Sequence, residues 1–229
     1  STKYIGELKN TKALVAFMYD GADWNALGLK AAFLPDQPRL KMSEVFNMYD
    51  KTGPLNPIIH DTAIIDPSAK IGKNVSIGAY CIIGKGVTIG KGTFLDTNIS
   101  IADNCFIGNN SLIFSGVKVS TGVTIGSNFR CSFNTVIGSD GFSFVSSTDD
   151  NIKEIKRSLG KRRGTNQSKY SRIASFGSVD IGDDVEIGSN CSIDSGTIKN
   201  TIVGDGTKID NLVHIGHNVE IGADTLLCG

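Results

Sequence analysis

Only three histidines stand in the 229 residues, and His214 and His217 share one short segment. It reads Ile209-Asp210-Asn211-Leu212-Val213-His214-Ile215-Gly216-His217-Asn218-Val219. An imidazole titrates near neutrality, so it can take the proton of an amine or hydroxyl as that group attacks a carbonyl. Asp210, one hexad earlier, is the nearest outward acid that could fix the tautomer of such a base. The third histidine, His60, lies 154 residues before His214, which gives poor support to a three-His zinc site, and it reads as structural. Cys81, Cys105, Cys131, Cys191 and Cys228 form no Cys-x-x-Cys pair and are odd in number. They fit neither a disulfide framework nor a zinc site, and read as small buried apolar residues of a reduced, cytoplasmic protein.

The elements that position these residues follow from a six-residue period. Fourteen positions run in steps of six from Ile59 to Ile137, and thirteen of them are Ile, Leu or Val, with Cys131 the exception. Gly follows at 72, 78, 84, 90, 108, 126 and 138, and small or β-branched residues recur four places after the apolar one. The period returns at Ile181, Ile187 and Ile193, then resumes after four extra residues at Val203, Ile209, Ile215 and Ile221. Six is neither a helical nor a strand period. Short β segments with a turn every six residues close a triangular coil in three hexads, with the first and fifth residues of each hexad inward. Glycine in the second place is expected to relieve corner geometry. Stacked coils bury one another's faces, which gives about seven coils around a narrow Ile column. The composition agrees: 27 Ile and 27 Gly against one Trp.

Twenty-three basic and 23 acidic residues leave no net charge, which argues against a general nucleic-acid binder. Hydrophobic content of 40% excludes wholesale disorder, and no run of about 18 apolar residues predicts a membrane span. Residues 1–57 lack the hexad and read as a small α/β domain. It has strands around Ala13–Met18 and Ala31–Leu34, an amphipathic helix over Leu40–Tyr49, and a linker marked by Pro54 and Pro57. Residues 58–229 form the repeat, interrupted at about 143–178. That insertion carries Lys153, Lys156, Arg157, Lys161, Arg162, Arg163, Lys169 and Arg172 against three acids, a local excess of five positive charges. It reads either as a docking patch for an acidic partner or as a solvated loop.

The hexads resemble the hexapeptide-repeat superfamily, which implies a left-handed parallel β-helix, mainly β, working as a homotrimer with sites between columns. The segment around Asp210 and His217 is narrower: it resembles the UDP-3-O-acylglucosamine N-acyltransferases of lipid A synthesis. Gly138-Ser139-Asp140-Gly141-Phe142, Ser192-Ile193-Asp194 and the column entry His60-Asp61-Thr62-Ala63 resemble the same family. So do Leu8-Lys9-Asn10-Thr11-Lys12-Ala13 and Gln37-Pro38-Arg39-Leu40 of its uridine-binding domain.

The resemblance implies transfer of a 3-hydroxyacyl group from acyl carrier protein to the 2-amine of a UDP-3-O-acyl-glucosamine. His217 would be the general base and Asp210 its assistant. Gly138, Asp140, Gly141, Phe142, Asn211, His214 and Asn218 would line the substrate site. Gln37, Phe33 and Tyr49 would serve the uridine, and Lys161, Arg162 and Arg163 would dock the acidic carrier protein. The donor's phosphopantetheine arm brings the acyl group, so no metal or bound cofactor is required. The family's Ala-His-Asn reads Gly216-His217-Asn218 here, and its Asp-Arg-Gly reads Asp194-Ser195-Gly196. The resemblance also implies an N-terminally incomplete first domain and further coils after Gly229, an incompleteness that can leave the chain inactive alone. Two other readings stand beside it: a nucleotide-sugar acyltransferase using acetyl-CoA, and a non-catalytic β-helix module.

Overall fold

The computed structural model describes residues 11–50, 57–146, 158–159, 161 and 169–229. Two compact units divide the chain, Ser1–Thr52 and Gly53–Gly229.

The second unit is the parallel β-helix that the hexads predict, built as three seven-stranded parallel sheets. The first sheet comprises Ile64–Ile65, Ile82–Ile83, Ser100–Ile101, Lys118–Val119, Val136–Ser139, Ser192–Asp194 and His214–Ile215. The second sheet runs from Lys70–Ile71 to Glu220–Ile221, and the third from Ser76–Ile77 to Leu226–Leu227. Register is set by the inward residue: Ile65, Ile83, Ile101, Val119, Ile137, Ile193 and Ile215 stack in one line. Each two-residue strand hands its N–H groups to the coil above, as in Ile64 N–H to Cys81 O at 2.8 Å. The fifth hexad position is inward as expected, with Val87, Thr93, Ser111, Val117, Val123 and Thr135 all buried. The buried hydroxyls are satisfied from within, Thr135 Oγ1 donating to Gly188 O at 2.7 Å.

Except at Gly138, the second-place glycines have a different cause from the one expected. At Gly72 the backbone is not left-handed, but a Cβ would stand 2.7–2.9 Å from Lys91 N, Gly90 C and Ile89 O. Close approach of the next coil excludes a side chain there. The left-handed residue comes two places later and is most often Asn, as at Asn74, Asn98, Asn104, Asn110 and Asn128, or Gly, as at Gly86 and Gly92. Asn tolerates that conformation better than other side chains do.

The first unit holds a two-stranded parallel sheet, Val15–Phe17 with Ala31–Phe33, and the helix Pro38–Met48. Pro38 opens that helix, where its missing N–H is not needed. A small core of Met18, Ala22 and Leu29 packs with Trp24 and Leu27.

Candidate functional site

Both interruptions of the hexad period leave the column at the same corner. Each follows the inward residue of the first sheet: the long one after Ile137, and the four-residue one after Ile193. His217 stands two places after Ile215, at that same corner one coil further on. The departing backbone is shaped by Gly138, whose φ of +89° suits glycine, and the register shifts between Ile137 and Ser139. Ser139 then pairs with Asp194, and Phe144–Ser146 pairs antiparallel with Tyr170–Arg172 to close the base of the insertion.

The segments meet around His217, which is half-buried. Buried Gly141 lies against its ring: a Cβ on Gly141 would fall 2.6 Å from His217 Cδ2 and 2.9 Å from Cγ. Arg172 holds this turn, with Nη1 donating to Gly141 O at 3.1 Å and its guanidinium over the Phe144 ring at 4.5 Å. On the other side Asn218 Oδ1 accepts the Thr197 N–H at 2.7 Å. Its Nδ2 faces His217 Nδ1 at 2.8 Å, and Thr197 Oγ1 lies 3.3 Å from the same nitrogen. Phe142 is 85% exposed, edge-on to Phe144 at 5.1 Å, and Asp140 is exposed.

No carboxylate is hydrogen-bonded to His217 among the described residues of the protomer. Asp210 follows Ile209 of the third sheet, so within the protomer it occupies the preceding corner of the triangle from His217. Its Oδ1 accepts from Asn211 N–H at 2.8 Å, and it makes no bond to His217. Asp210 and Asn211 instead line a cleft of about 510 Å³ with Arg130, Glu186, Lys208 and Leu226. The acid that meets an imidazole is Asp194, whose Oδ2 lies 2.9 Å from His214 Nε2. The pairing is 20 residues apart because the coil between them has 22 residues instead of 18. That displacement is readable by counting the break, and it is the signal that would have found Asp194. Thr197, from the four-residue break itself, was likewise not expected.

In the first unit Phe33 and Tyr49 line one cleft of about 650 Å³ with Phe17, Leu34, Lys41 and Glu44. Phe33 stacks on Phe17 with centroids 5.0 Å apart. Gln37 is exposed at the helix N-cap and does not line the cleft. Lys161 is exposed, while Arg162, Arg163 and the Leu8-Lys9-Asn10 motif lie outside the described residues. Among the described residues, no group of three or more His, Cys, Asp or Glu is placed to hold a metal ion. No helix among them is long and apolar enough to cross a membrane.

Fold and corner together define a parallel β-helix of hexapeptide repeats. A family profile described as "GMPPB C-terminal domain" matches residues 55–142, which is the uninterrupted run of hexads. The Arabidopsis UDP-N-acetylglucosamine acyltransferase structure superposes with a TM-score of 0.58 at 25% identity, over 74% of this chain and 52% of that one. The chain is homologous to the UDP-3-O-acylglucosamine N-acyltransferases: it is 48% identical to that of Ruegeria pomeroyi over all 229 residues. Identity is 50% to the Paracoccus denitrificans protein of that name over 94% of the chain, and 40% to a Francisella tularensis one over 83%. It spans 63%, 59% and 50% of the lengths of these three relatives.

Proposed function

We propose that the protein transfers a 3-hydroxyacyl group from acyl carrier protein to the 2-amine of a UDP-3-O-acyl-glucosamine, in lipid A synthesis in the cytoplasm. The observation that carries this is the corner where both interruptions of the repeat converge on His217, in a chain whose relatives are named UDP-3-O-acylglucosamine N-acyltransferases. The amine attacks the thioester carbonyl, a C–N bond forms and the C–S bond breaks. The base takes the amine proton and returns it to the leaving thiolate, so no metal or redox step enters.

His217 is the base in this reading. For Nε2 to take the proton, the ring hydrogen must sit on Nδ1, where Thr197 Oγ1 is the available acceptor at 3.3 Å. That state competes with the hydrogen bond from Asn218 Nδ2. The cleft lined by Phe33 and Tyr49 supports a place for the uracil, flat aromatic surface being what a base stacks on. Exposed Ile64 and Ile82, register partners on the outward face of the first sheet, support packing against another protomer in a homotrimer. The basic insertion suits an acidic carrier.

The test is N-acylation of UDP-3-O-acyl-glucosamine by 3-hydroxyacyl carrier protein, followed by product mass. His217→Ala should lose about 10²–10⁴-fold in rate, the range for removing a general base. A wild-type protein inert with this donor but active with acetyl-CoA would replace the reading by the alternative acyltransferase. Inertness with both would leave the non-catalytic module.

A further inference from the structure

The side chain of Asp194 is only 7% exposed, and it is held on both oxygens. Oδ1 accepts the Ser139 hydroxyl at 2.7 Å and lies 3.4 Å from Ser192 Oγ. The two hydroxyls are 3.1 Å apart. Oδ2 meets Nε2 of His214, whose own side chain is 60% exposed. Among the described residues nothing else bonds to the His214 ring. A buried carboxylate kept in place by two serines beside a mostly exposed imidazole is more than the column needs, since Ile193 and Ile215 complete the core behind it.

The two imidazoles of this region are set oppositely. An ionised carboxylate only accepts, so in the neutral ring His214 must carry its hydrogen on Nε2 and leave the Nδ1 lone pair free. His217 is addressed by an amide whose oxygen is already committed to the Thr197 N–H. Asn218 can therefore only donate to Nδ1, and while that bond is made His217 carries its hydrogen on Nε2; the basic form proposed above has this bond exchanged for Nδ1–H donating to Thr197 Oγ1.

We propose that Asp194, held by Ser139 and Ser192, is a positioning residue that fixes His214 as the Nε2–H tautomer and presents Nδ1 as a hydrogen-bond acceptor. The substrate group that meets His214 is then a donor, a hydroxyl or an amine of the sugar. This last step rests on the proposed acyl transfer, whereas the tautomer does not.

With three histidines in the chain, the rings can be assigned one by one in protein labelled with ¹⁵N-histidine. Long-range ¹H–¹⁵N spectra at a pH where the rings are neutral report which nitrogen bears hydrogen. Wild type should show His214 as Nε2–H. Asp194→Asn is isosteric; the new amide oxygen faces the serine hydroxyls and its NH₂ donates to Nε2, so His214 should invert to Nδ1–H. The same variant should lower kcat/KM for the UDP-sugar by roughly 10- to 100-fold, with KM for the acyl donor unchanged. A wild-type His214 found as Nδ1–H, or as the mixture of a free imidazole, overturns the proposal even if the variant does not fold. So does an Asp194→Asn protein with the wild-type tautomer. Inversion with unchanged kinetics overturns the role toward substrate. A wild-type protein with no acyl transfer, but with His214 as Nε2–H, would count against the function proposed above and in favour of the tautomer assignment.

Discussion

Adding one methyl group at Gly141 tests whether the turn after the first-sheet corner is the floor of the His217 site. Gly141 has an ordinary backbone conformation, so alanine is permitted there on dihedral grounds. Its Cβ, however, would lie 2.6, 2.8 and 2.9 Å from Cδ2, Cβ and Cγ of His217. Ordinary carbon contacts need about 3.5–4.0 Å, so the ring must retreat by roughly 1 Å. That retreat breaks the 2.8 Å contact with Asn218. A displacement of this size at a reacting group costs about 10²-fold in rate, or about 2.7 kcal/mol of transition-state stabilisation. Gly216→Ala is the matched control: it adjoins His217, yet a Cβ there meets nothing within 4 Å and no left-handed φ opposes it. Initial rates of N-acylation and thermal unfolding should be measured on both. The expected result is a large loss of kcat for Gly141→Ala at a near-native melting temperature, with Gly216→Ala close to wild type in both. Wild-type turnover in Gly141→Ala would refute the reasoning. A fall in melting temperature large enough to account for the lost activity would do so too, because the imidazole would then not be the group that yields.

Two further outcomes follow from strain and burial. Leu212 has a φ of +62° and is 75% exposed, at a corner where other coils place Asn98, Asn134 and Asn190. Leu212→Asn should therefore stabilise by about 1 kcal/mol, raising the melting temperature by about 2–4 °C. A lower midpoint would show that the leucine makes a contact outside the protomer. Among the cysteines, Cys81, Cys105, Cys131 and Cys191 are buried and Cys228 is exposed. Burial raises the thiols of Cys81, Cys105 and Cys131 above the ordinary range. One equivalent should react quickly with a disulfide reagent in the native state and five after unfolding, since the thiolate is the nucleophile. Two fast equivalents would contradict the burial. The same shifts mean that the native state keeps protons the unfolded chain has lost, so denaturation midpoints should fall as pH rises above about 9. A midpoint that is flat or rising there would contradict the shifts.

The column was legible because a hexad is at once a sequence period and a geometric one. Once Ile137, Ile193 and Ile215 are recognised as inward, their register partners follow without further information. The strands and the helix of the first unit were placed to within two residues, by apolar runs and by Pro38. The side-chain pairings around the two histidines were not legible in the sequence. Asp210 is close to His217 in sequence, but six residues in this fold is one side of a triangle, so sequence proximity separates side chains that a helix would have brought near. Asp194 is farther away, and the 22-residue coil brings it onto His214. The role of Gly72 was misjudged for a related reason: a period shows that a side chain is absent, and only the stacking shows that the neighbouring coil is what excludes it.

These pairings also explain why the chemistry can be built without cost to the column. A parallel β-helix of this kind has no loops inside its period, so chain can leave only at a corner. Leaving and returning at one corner keeps every inward residue in line, as the unbroken stack from Val119 through Ile137 and Ile193 to Ile215 shows. Lengthening such an excursion adds little closure entropy. Two excursions at different corners would each present an isolated flap. Placed at the same corner one coil apart, the long one brings Gly141, held by Arg172, and the short one brings Thr197, to the histidine of the next coil. The position of the breaks in the repeat, more than the identity of any residue within it, selects this corner as the place where both excursions meet a histidine.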